Sequence, residues 1–178
     1  IRGKIGCQGL DLQSAQGDKA ILQLLEQFGA TSDVILNQVT IAAKEKRGIR
    51  IDAAQIPDLV PILCIAAAAA EGKTEIYNAG RLRIKESDRL SAMADCLKKI
   101  GVAVEEYETG LIITGGCHPP QGEILIRSHG DHRIVMAMAI AAVSLGIDLT
   151  IEGAEAVNKS YPTFFVELEK LGGVVHVI

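Results

Sequence analysis

A repeat of about 70 residues constrains the fold of this chain more than any other feature of its sequence. Gly29, Gly101 and Gly172 each follow an amphipathic segment and precede an apolar one, at intervals of 72 and then 71 residues. The apolar residues before each glycine recur at i, i+3 and i+4, which predicts a helix with one buried face. A glycine at that point favours the left-handed backbone conformation in which many helices end. The chain is therefore predicted to consist of copies of one supersecondary unit.

The second half of the unit also recurs. Two nearly wholly apolar helices are predicted, at 59–71 and 134–145, and each is followed by a glycine. Short apolar strands flank them, at 49–51, 74–77, 124–126 and 149–152. A helix that is apolar all round is normally buried, so both are predicted to lie inside the domain, between sheets. The sequence thus predicts an α/β fold made of repeated strand–helix–strand–strand–helix–strand units.

The repeats divide the chain unequally. Two copies span approximately residues 7–78 and 79–152, and a partial third copy spans 153–178. The third copy stops at a predicted strand, 174–177, before the unit is complete. Because the chain also starts at an isoleucine rather than a methionine, we expect residues 1–178 to be a single domain from a longer protein whose other part completes the third unit.

The composition excludes several classes of protein. Of the 178 residues, 48% are hydrophobic and 22% are charged, which argues against intrinsic disorder. The net charge of −4 disfavours a general nucleic-acid binder, which is normally basic. The longest apolar run, 62–70, is shorter than the roughly 20 residues that cross a bilayer, so no membrane partner is expected.

The cysteines indicate a reducing compartment. Four are present, at Cys7, Cys64, Cys96 and Cys117. They are scattered and form no CxxC pair, which predicts reduced, mostly buried thiols of a cytoplasmic protein rather than disulfides or zinc ligands. The nearest approach to a metal-binding cluster is His129 with Asp131 and His132, whose spacing does not suit a metal ion, and no metal site is predicted.

Polar and charged residues gather where the chain enters a helix. Asp58 precedes one apolar helix, and Asp131-His132-Arg133 precedes the other. Lys85-Glu86-Ser87-Asp88-Arg89 opens the second amphipathic helix, and Lys159 opens the third. If pseudo-symmetry relates the units, these helix N-termini converge at one end of the domain, where unpaired N–H groups and helix dipoles attract anions. The basic residues among them would strengthen that attraction, which predicts a small phosphorylated or carboxylated ligand.

Simpler roles are open for each of these residues. Asp58, Asp88 and Asp131 could each be an ordinary helix N-cap. The charges at 85–89 could be solvated and pair with one another on the surface. Neither a GxGxxG nor a GxxxxGK[ST] phosphate loop is present. The residues alone therefore lead as far as a repeat-built α/β domain with a convergent anion site.

Three motifs resemble those of the 5-enolpyruvylshikimate-3-phosphate (EPSP) synthase family. They are Leu-Arg-Ile-Lys-Glu-Ser-Asp-Arg-Leu at 82–90, Asp131-His132-Arg133 before a helix rich in Met and Ala, and Lys159-Ser160-Tyr161-Pro162. Two shorter segments, Gln16-Gly17-Asp18 and Ile56-Pro57-Asp58, also match the family in order and spacing. The resemblance implies the enolpyruvyl transferase-like α/β fold, in which each of two domains has three βαβαββ units around a pseudo-threefold axis. This chain would be the C-terminal part of such a two-domain protein and would hold about two and a half units.

The same resemblance implies an activity. The family transfers the enolpyruvyl group of phosphoenolpyruvate to the 5-hydroxyl of shikimate 3-phosphate and releases phosphate, in aromatic amino-acid synthesis. Both substrates would be small-molecule partners of this chain, and no cofactor is implied. Half of the family's site belongs to the other domain, so the chain alone is expected to be inactive. Loss of that domain is also expected to expose apolar surface and to favour association.

Roles for individual residues follow from the motif matches. Asp58 would bind the hydroxyls of the acceptor and act as a candidate base, with Lys85 beside the attacking 5-hydroxyl. Glu86 would be the acid–base residue that protonates the methylene of phosphoenolpyruvate and later removes a proton from the intermediate. The residues that would hold phosphoenolpyruvate are Arg89, Arg133, Lys159 and, in second rank, His132.

Two other functions compete with this one. The sister enolpyruvyl transferase that acts on UDP-N-acetylglucosamine shares the fold, but the 85–89 motif fits the shikimate enzyme better. A non-catalytic anion-binding domain of the same fold is the alternative from a different class. The joint presence of Asp58, Glu86 and the four cations argues against it.

Overall fold

The architecture is an α/β arrangement of three small sheets and five α-helices within residues 3–177, which are the part of the chain that the computed structural model describes. The strands are β1 (Lys4–Gln8), β2 (Thr31–Ile35), β3 (Gln38–Ala42), β4 (Arg50–Asp52), β5 (Lys73–Tyr77), β6 (Val102–Tyr107), β7 (Gly110–Cys117), β8 (Leu125–Arg127) and β9 (Thr150–Glu152). The helices are α1 (Ile21–Gln27), α2 (Val60–Ala68), α3 (Arg89–Lys99), α4 (His132–Leu145) and α5 (Phe164–Lys170). Short 3-10 helices precede four of these, at Gly17–Ala20, Pro57–Leu59, Gly80–Ile84 and Ala154–Lys159.

The sheets repeat one pairing scheme. The first sheet has the order β1-β3-β2 and is antiparallel, and β5-β7-β6 in the second sheet has the same order and direction. In the second sheet β4 adds to β5 in parallel, and the third sheet is the parallel pair β8 and β9. Each sheet therefore shows all or part of a four-stranded pattern, which is complete only in the second sheet.

The strand predicted at 174–177 is not formed, and that prediction was wrong. These residues follow α5 as β6 follows α3, but they pair with no other strand within residues 3–177. In the second sheet β6 pairs with β7, and within residues 3–177 no strand equivalent to β7 follows α5. An extended segment cannot satisfy its backbone groups as a strand without such a partner.

Of the two apolar helices, α2 lies at the centre, as predicted, whereas α4 is only half-buried. Seven of the nine residues of α2 are buried, from Val60 to Ala68, and α2 packs against α4 and the inner face of β7. Pro57 and Pro61 both lie at a helix start, where a missing N–H leaves no intrahelical bond unmade. α4 begins at His132, two residues earlier than predicted, because the Asp131 side chain caps it.

Glycines end helices where the backbone turns and where another segment passes close by. Gly29 and Gly101 have φ angles of 104° and 77°. A Cβ on Gly29 would lie 1.8 Å from the carbonyl oxygen of Glu45, and one on Gly101 would lie 1.9 Å from that of His118. Both positions thus exclude a larger side chain for two reasons, since the conformation and the close approach each require glycine.

An apolar cleft of about 530 Å³ opens beside α2. Its walls come from the first sheet, α1, α2 and α4, and they include Ile5, Ile41, Leu25, Phe28, Ile62 and Ile140. One long side of an otherwise buried helix therefore faces open space.

The cysteines are free thiols, as expected, but only half of them are buried. Cys64 and Cys96 lie in the core, Cys117 is partly buried and Cys7 on β1 is exposed. Burial raises the pKa of Cys96 to about 12.

Candidate active site

Three loops that enter helices meet at one end of the domain. The first is the Pro57–Leu59 turn before α2, which carries Asp58. The second, residues 85–88, joins the Gly80–Ile84 turn to α3, and the third is the Asp131 cap at the start of α4. The predicted convergence of helix entrances is observed, since ion pairs link side chains of all three loops.

Arg89 is the centre of a charged cluster that it forms with Asp58, Lys85, Glu86, Asp131 and Arg133. Its side chain is 1% exposed and donates to three carboxylates. Nε lies 2.7 Å from Asp131 Oδ2, Nη1 lies 2.8 Å from Asp58 Oδ1 and Nη2 lies 2.6 Å from Glu86 Oε2. Burial disfavours the charge of the guanidinium, but the bonds and charges of Asp131, Glu86 and Asp58 outweigh it, and the pKa of Arg89 is raised.

Asp58 binds cations from both neighbouring loops. Its carboxylate accepts from Arg89 and, at 3.0 Å, from Arg133 Nη2, and Lys85 Nζ lies 3.5 Å away. Arg133 also donates to the Asp58 carbonyl oxygen at 3.1 Å. Burial would raise the pKa of Asp58, but the charge of Arg133 and the other cations lowers it below its ordinary value. Asp58 is not a helix cap, because it lies inside the Pro57–Leu59 turn and the N-cap residues of that turn and of α2 are Ile56 and Leu59.

Asp131 belongs to the site, although its sequence position predicted no more than a place at a helix entrance and a possible N-cap. It is completely buried and accepts from Arg89, from Ser87 Oγ at 3.1 Å and from the backbone N–H of Arg133 at 2.9 Å. Burial would raise the pKa of Asp131, but the hydrogen bond from Arg89 and the others lower it. The signal for its role was its position, 73 residues after Asp58 at the equivalent helix entrance.

Lys159 and His132 lie beside the cluster rather than within it. Lys159 Nζ donates to the carbonyl oxygen of Gly130, immediately before Asp131, at 2.8 Å. His132 begins α4, is 8% exposed, and its Nδ1 is buried without a hydrogen-bond partner in the described part of the chain. The remaining predicted site residues, Asp58, Lys85, Glu86, Arg89 and Arg133, all take part in the cluster's ion pairs.

The cluster's own carboxylates compensate most of the predicted basic site. Asp58, Glu86 and Asp131 balance Lys85, Arg89 and Arg133, whereas the fourth predicted cation, Lys159, donates to a carbonyl oxygen. An incoming anion must compete with the cluster's own carboxylates for the guanidinium groups. Chemically, the arrangement presents cations for a carboxylate or phosphate beside carboxylates that can accept a proton.

The described residues, 3–177, contain no group of three or more His, Cys, Asp or Glu side chains arranged to hold a metal ion. No helix among them is long and apolar enough to cross a membrane.

The lowered pKa values of Asp58 and Asp131 predict a loss of stability in acid. The folded state holds these carboxylates ionised to lower pH than the unfolded chain does, since their ordinary pKa is 3.8. Their contribution is complete above that pKa and is lost as the pH falls through the lower folded values. We expect the free energy of unfolding, measured by urea titration, to fall below about pH 4. An Asp131→Asn variant should show a shallower fall over the same range, and an equal fall would contradict the assignment.

Comparisons with known proteins agree with this picture. Residues 1–168 match the family described as EPSP synthase (3-phosphoshikimate 1-carboxyvinyltransferase). A curated 3-phosphoshikimate 1-carboxyvinyltransferase from Clostridium acetobutylicum is 49% identical over 99% of this chain, and one from Methanocella arvoryzae is 48% identical over 92%. The chain spans only about 40% of the length of these relatives, 40% of the first and 39% of the second.

Solved structures show the same fold. EPSP synthase from Acinetobacter baumannii superimposes with a TM-score of 0.76 and 31% identity, covering 97% of this chain and 42% of that one. The enolpyruvyl transferase NikO from Streptomyces tendae superimposes with a TM-score of 0.70 at 24% identity, covering 86% of this chain and 35% of that one, which shows likeness of fold alone. The expected enolpyruvyl transferase-like α/β fold is confirmed.

Proposed function

Because this chain belongs to the EPSP synthase family, we propose that it is part of a longer protein that transfers the enolpyruvyl group of phosphoenolpyruvate to the 5-hydroxyl of shikimate 3-phosphate. The observation that carries the proposal is the cluster itself. Asp58, Lys85, Glu86, Arg89 and Arg133 come from three separate loops and meet within hydrogen-bond or ion-pair distance. Such an assembly suits a reaction that binds an anion and moves a proton at the same place.

Asp58, Lys85 and Glu86 would handle the protons. In the addition step the 5-hydroxyl oxygen bonds to C2 of phosphoenolpyruvate, its proton passes to the Asp58 carboxylate, and Glu86, which must start this step in its protonated form, gives that proton to C3. In the elimination step the Glu86 carboxylate removes a proton from the new methyl group while the C2–O bond to phosphate breaks. Phosphate leaves with the electron pair and takes up the proton held by Asp58. Lys85, 3.5 Å from Asp58, would stabilise charge on the attacking oxygen.

Arg89, Arg133 and Lys159 would hold the carboxylate and phosphate of phosphoenolpyruvate, with His132 beside them. Planar guanidinium groups bind such anions through paired hydrogen bonds. In the ligand-free cluster Arg89 and Arg133 bind Asp58, so that carboxylate keeps both cations oriented until an anion arrives. Within the described part of the chain Lys159 donates to a carbonyl oxygen and to no carboxylate, so its charge is the least compensated among these cations.

The chain would be the C-terminal part of its protein, with repeats at 7–78, 79–152 and, in part, 153–178. Two features support this division. The third sheet has two of the four strands that the second sheet has. The cleft beside α2 is lined by apolar side chains, as the core of a domain is, but it is open to solvent. The other part of the protein would complete both features and supply the second half of the substrate site. A cytoplasmic location would fit the free thiols.

Phosphate release tests the activity. The full-length protein is incubated with phosphoenolpyruvate and either shikimate 3-phosphate or UDP-N-acetylglucosamine, with this 178-residue chain assayed in parallel. We expect release only by the full-length protein and only with shikimate 3-phosphate. Release with the sugar nucleotide would show that the proposed acceptor is wrong. Release with neither acceptor would contradict the proposed reaction. Turnover by the chain alone would disprove the half-site proposal.

A further inference from the structure

The loop that carries Lys85 and Glu86 is fixed from outside the cluster by one arginine. We propose that Arg83 is a positioning residue for these two side chains, an inference that rests on the proposed function. Arg83 lies in the Gly80–Ile84 turn, two residues before Lys85, and none of its partners is a member of the cluster.

The contacts of Arg83 use the whole guanidinium group. Nε donates to the carbonyl oxygen of Glu108 at 2.8 Å, and Nη2 donates to that of Tyr107 at 2.8 Å. Nη1 donates to Glu106 Oε1 at 2.9 Å and to Asp88 Oδ2 at 3.0 Å. The first three partners belong to the β6–β7 hairpin, so Arg83 ties the start of the loop to a rigid sheet.

The fourth partner of Arg83 is Asp88, which lies at the other end of the loop, just before α3. Asp88 is the N-cap of α3 and accepts from the backbone N–H of Ser91 at 3.1 Å. Its ion pair with Arg83 therefore joins the residues that bracket 84–87 and reduces the number of conformations open to them.

The loop has little else to hold it when substrates bind. Ile84 is 86% exposed and contributes no core packing. The other contacts of the loop are Lys85 with Asp58, Glu86 with Arg89 and Ser87 with Asp131, all of them inside the charged cluster. Anionic substrates compete for those charges, whereas the contacts of Arg83 remain in place through the reaction. Arg83 therefore holds Lys85 and Glu86 at a fixed distance from the reacting atoms.

The test is kinetic and uses the full-length protein. We expect Arg83→Met to lower kcat about 10- to 100-fold, the loss typical of a small displacement of catalytic groups, with a smaller change in either KM. Arg83→Lys should recover little of it, because an ammonium group cannot reproduce the fork of contacts. The matched control is Arg50→Met, which removes an arginine of β4 whose ion pair is with Glu75 on the neighbouring strand β5, and it should change kcat less than about twofold.

A double variant separates positioning from general destabilisation. If Arg83 acts through Glu86, the Arg83→Met effect on kcat should largely vanish in a Glu86→Gln background, whereas a merely structural role predicts that the two losses multiply. The proposal would be overturned if the kcat losses of the two single variants multiplied in the double variant. It would also be overturned if the kcat of Arg83→Met were within twofold of that of the parent.

Proteolysis of the ligand-free full-length protein decides the matter even if the proposed reaction fails. Cleavage after Lys85 by a lysine-specific endoproteinase should become at least about tenfold faster in Arg83→Met and stay unchanged in Arg50→Met, because cleavage requires the loop to open. Equal cleavage rates in all three proteins would refute the role of Arg83, whereas an inactive parent with faster cleavage in Arg83→Met alone would refute only the reaction.

Discussion

A Glu86→Gln variant of the full-length protein is expected to lose about a thousandfold in kcat, within the range that general acid–base catalysis contributes. Gln keeps the size of Glu and can still accept the hydrogen bond that Arg89 donates to Oε2 at 2.6 Å. It cannot deliver or remove a proton. The loss should therefore fall on the chemical steps rather than on the shape of the site.

The Michaelis constant for phosphoenolpyruvate should stay level or fall in the same variant. The Glu86 carboxylate competes with an incoming carboxylate for Arg89, and the neutral amide competes less. Steady-state kinetics with both substrates varied would measure the two effects separately.

Glu75→Gln is the matched control, because Glu75 also pairs with an arginine, Arg50 on β4, but lies on the sheet outside the cluster. It should leave both constants within about twofold of the parent. Unchanged turnover in Glu86→Gln would remove the acid–base assignment and revive the non-catalytic anion-binding domain.

Local patterns in the sequence were enough to place the elements that carry the site. Helical periodicity, helix-ending glycines and the 73-residue interval between Asp58 and Asp131 gave the helix entrances and suggested that they converge. Each of these signals depends either on neighbouring residues or on the comparison of one repeat with the next, so it can be recognised without knowledge of tertiary contacts.

These local patterns could not predict which side chains form ion pairs within the site. Arg89 binds Asp58 and Asp131, which are 31 and 42 residues away, and only the packing of α2, α3 and α4 brings the three together. The contacts of Arg83 could not be predicted either, because its partners in the β6–β7 hairpin lie 23 to 25 residues further along the chain. The failed strand at 174–177 shows the same limit, since strand formation depends on a partner that the local sequence does not contain.

An Asp131→Asn variant of this chain is expected to lose about 3 kcal/mol of unfolding free energy at neutral pH, at the lower end of the cost of breaking a buried ion pair. The amide has one accepting oxygen where the carboxylate has two. If the NH₂ group replaces Oδ2, it faces the donors of Arg89 and Ser87. If it replaces Oδ1, it faces the backbone N–H of Arg133 and a second N–H of Arg89. Either orientation leaves buried donors opposed to a donor.

Asp95→Asn separates this effect from the loss of any carboxylate. Asp95 pairs with Lys99 one helical turn away at 2.9 Å, but its side chain is 51% exposed. Water replaces such a contact easily, so the variant should lose no more than about 0.5 kcal/mol. Urea unfolding of both variants and the parent chain at one pH gives the comparison. A loss below about 1 kcal/mol for Asp131→Asn would mean that Asp58 and Glu86 suffice to balance the buried guanidinium of Arg89. In that case Asp131 would serve as an ordinary helix cap, and the core of the cluster would be the Asp58–Arg89–Glu86 triad alone.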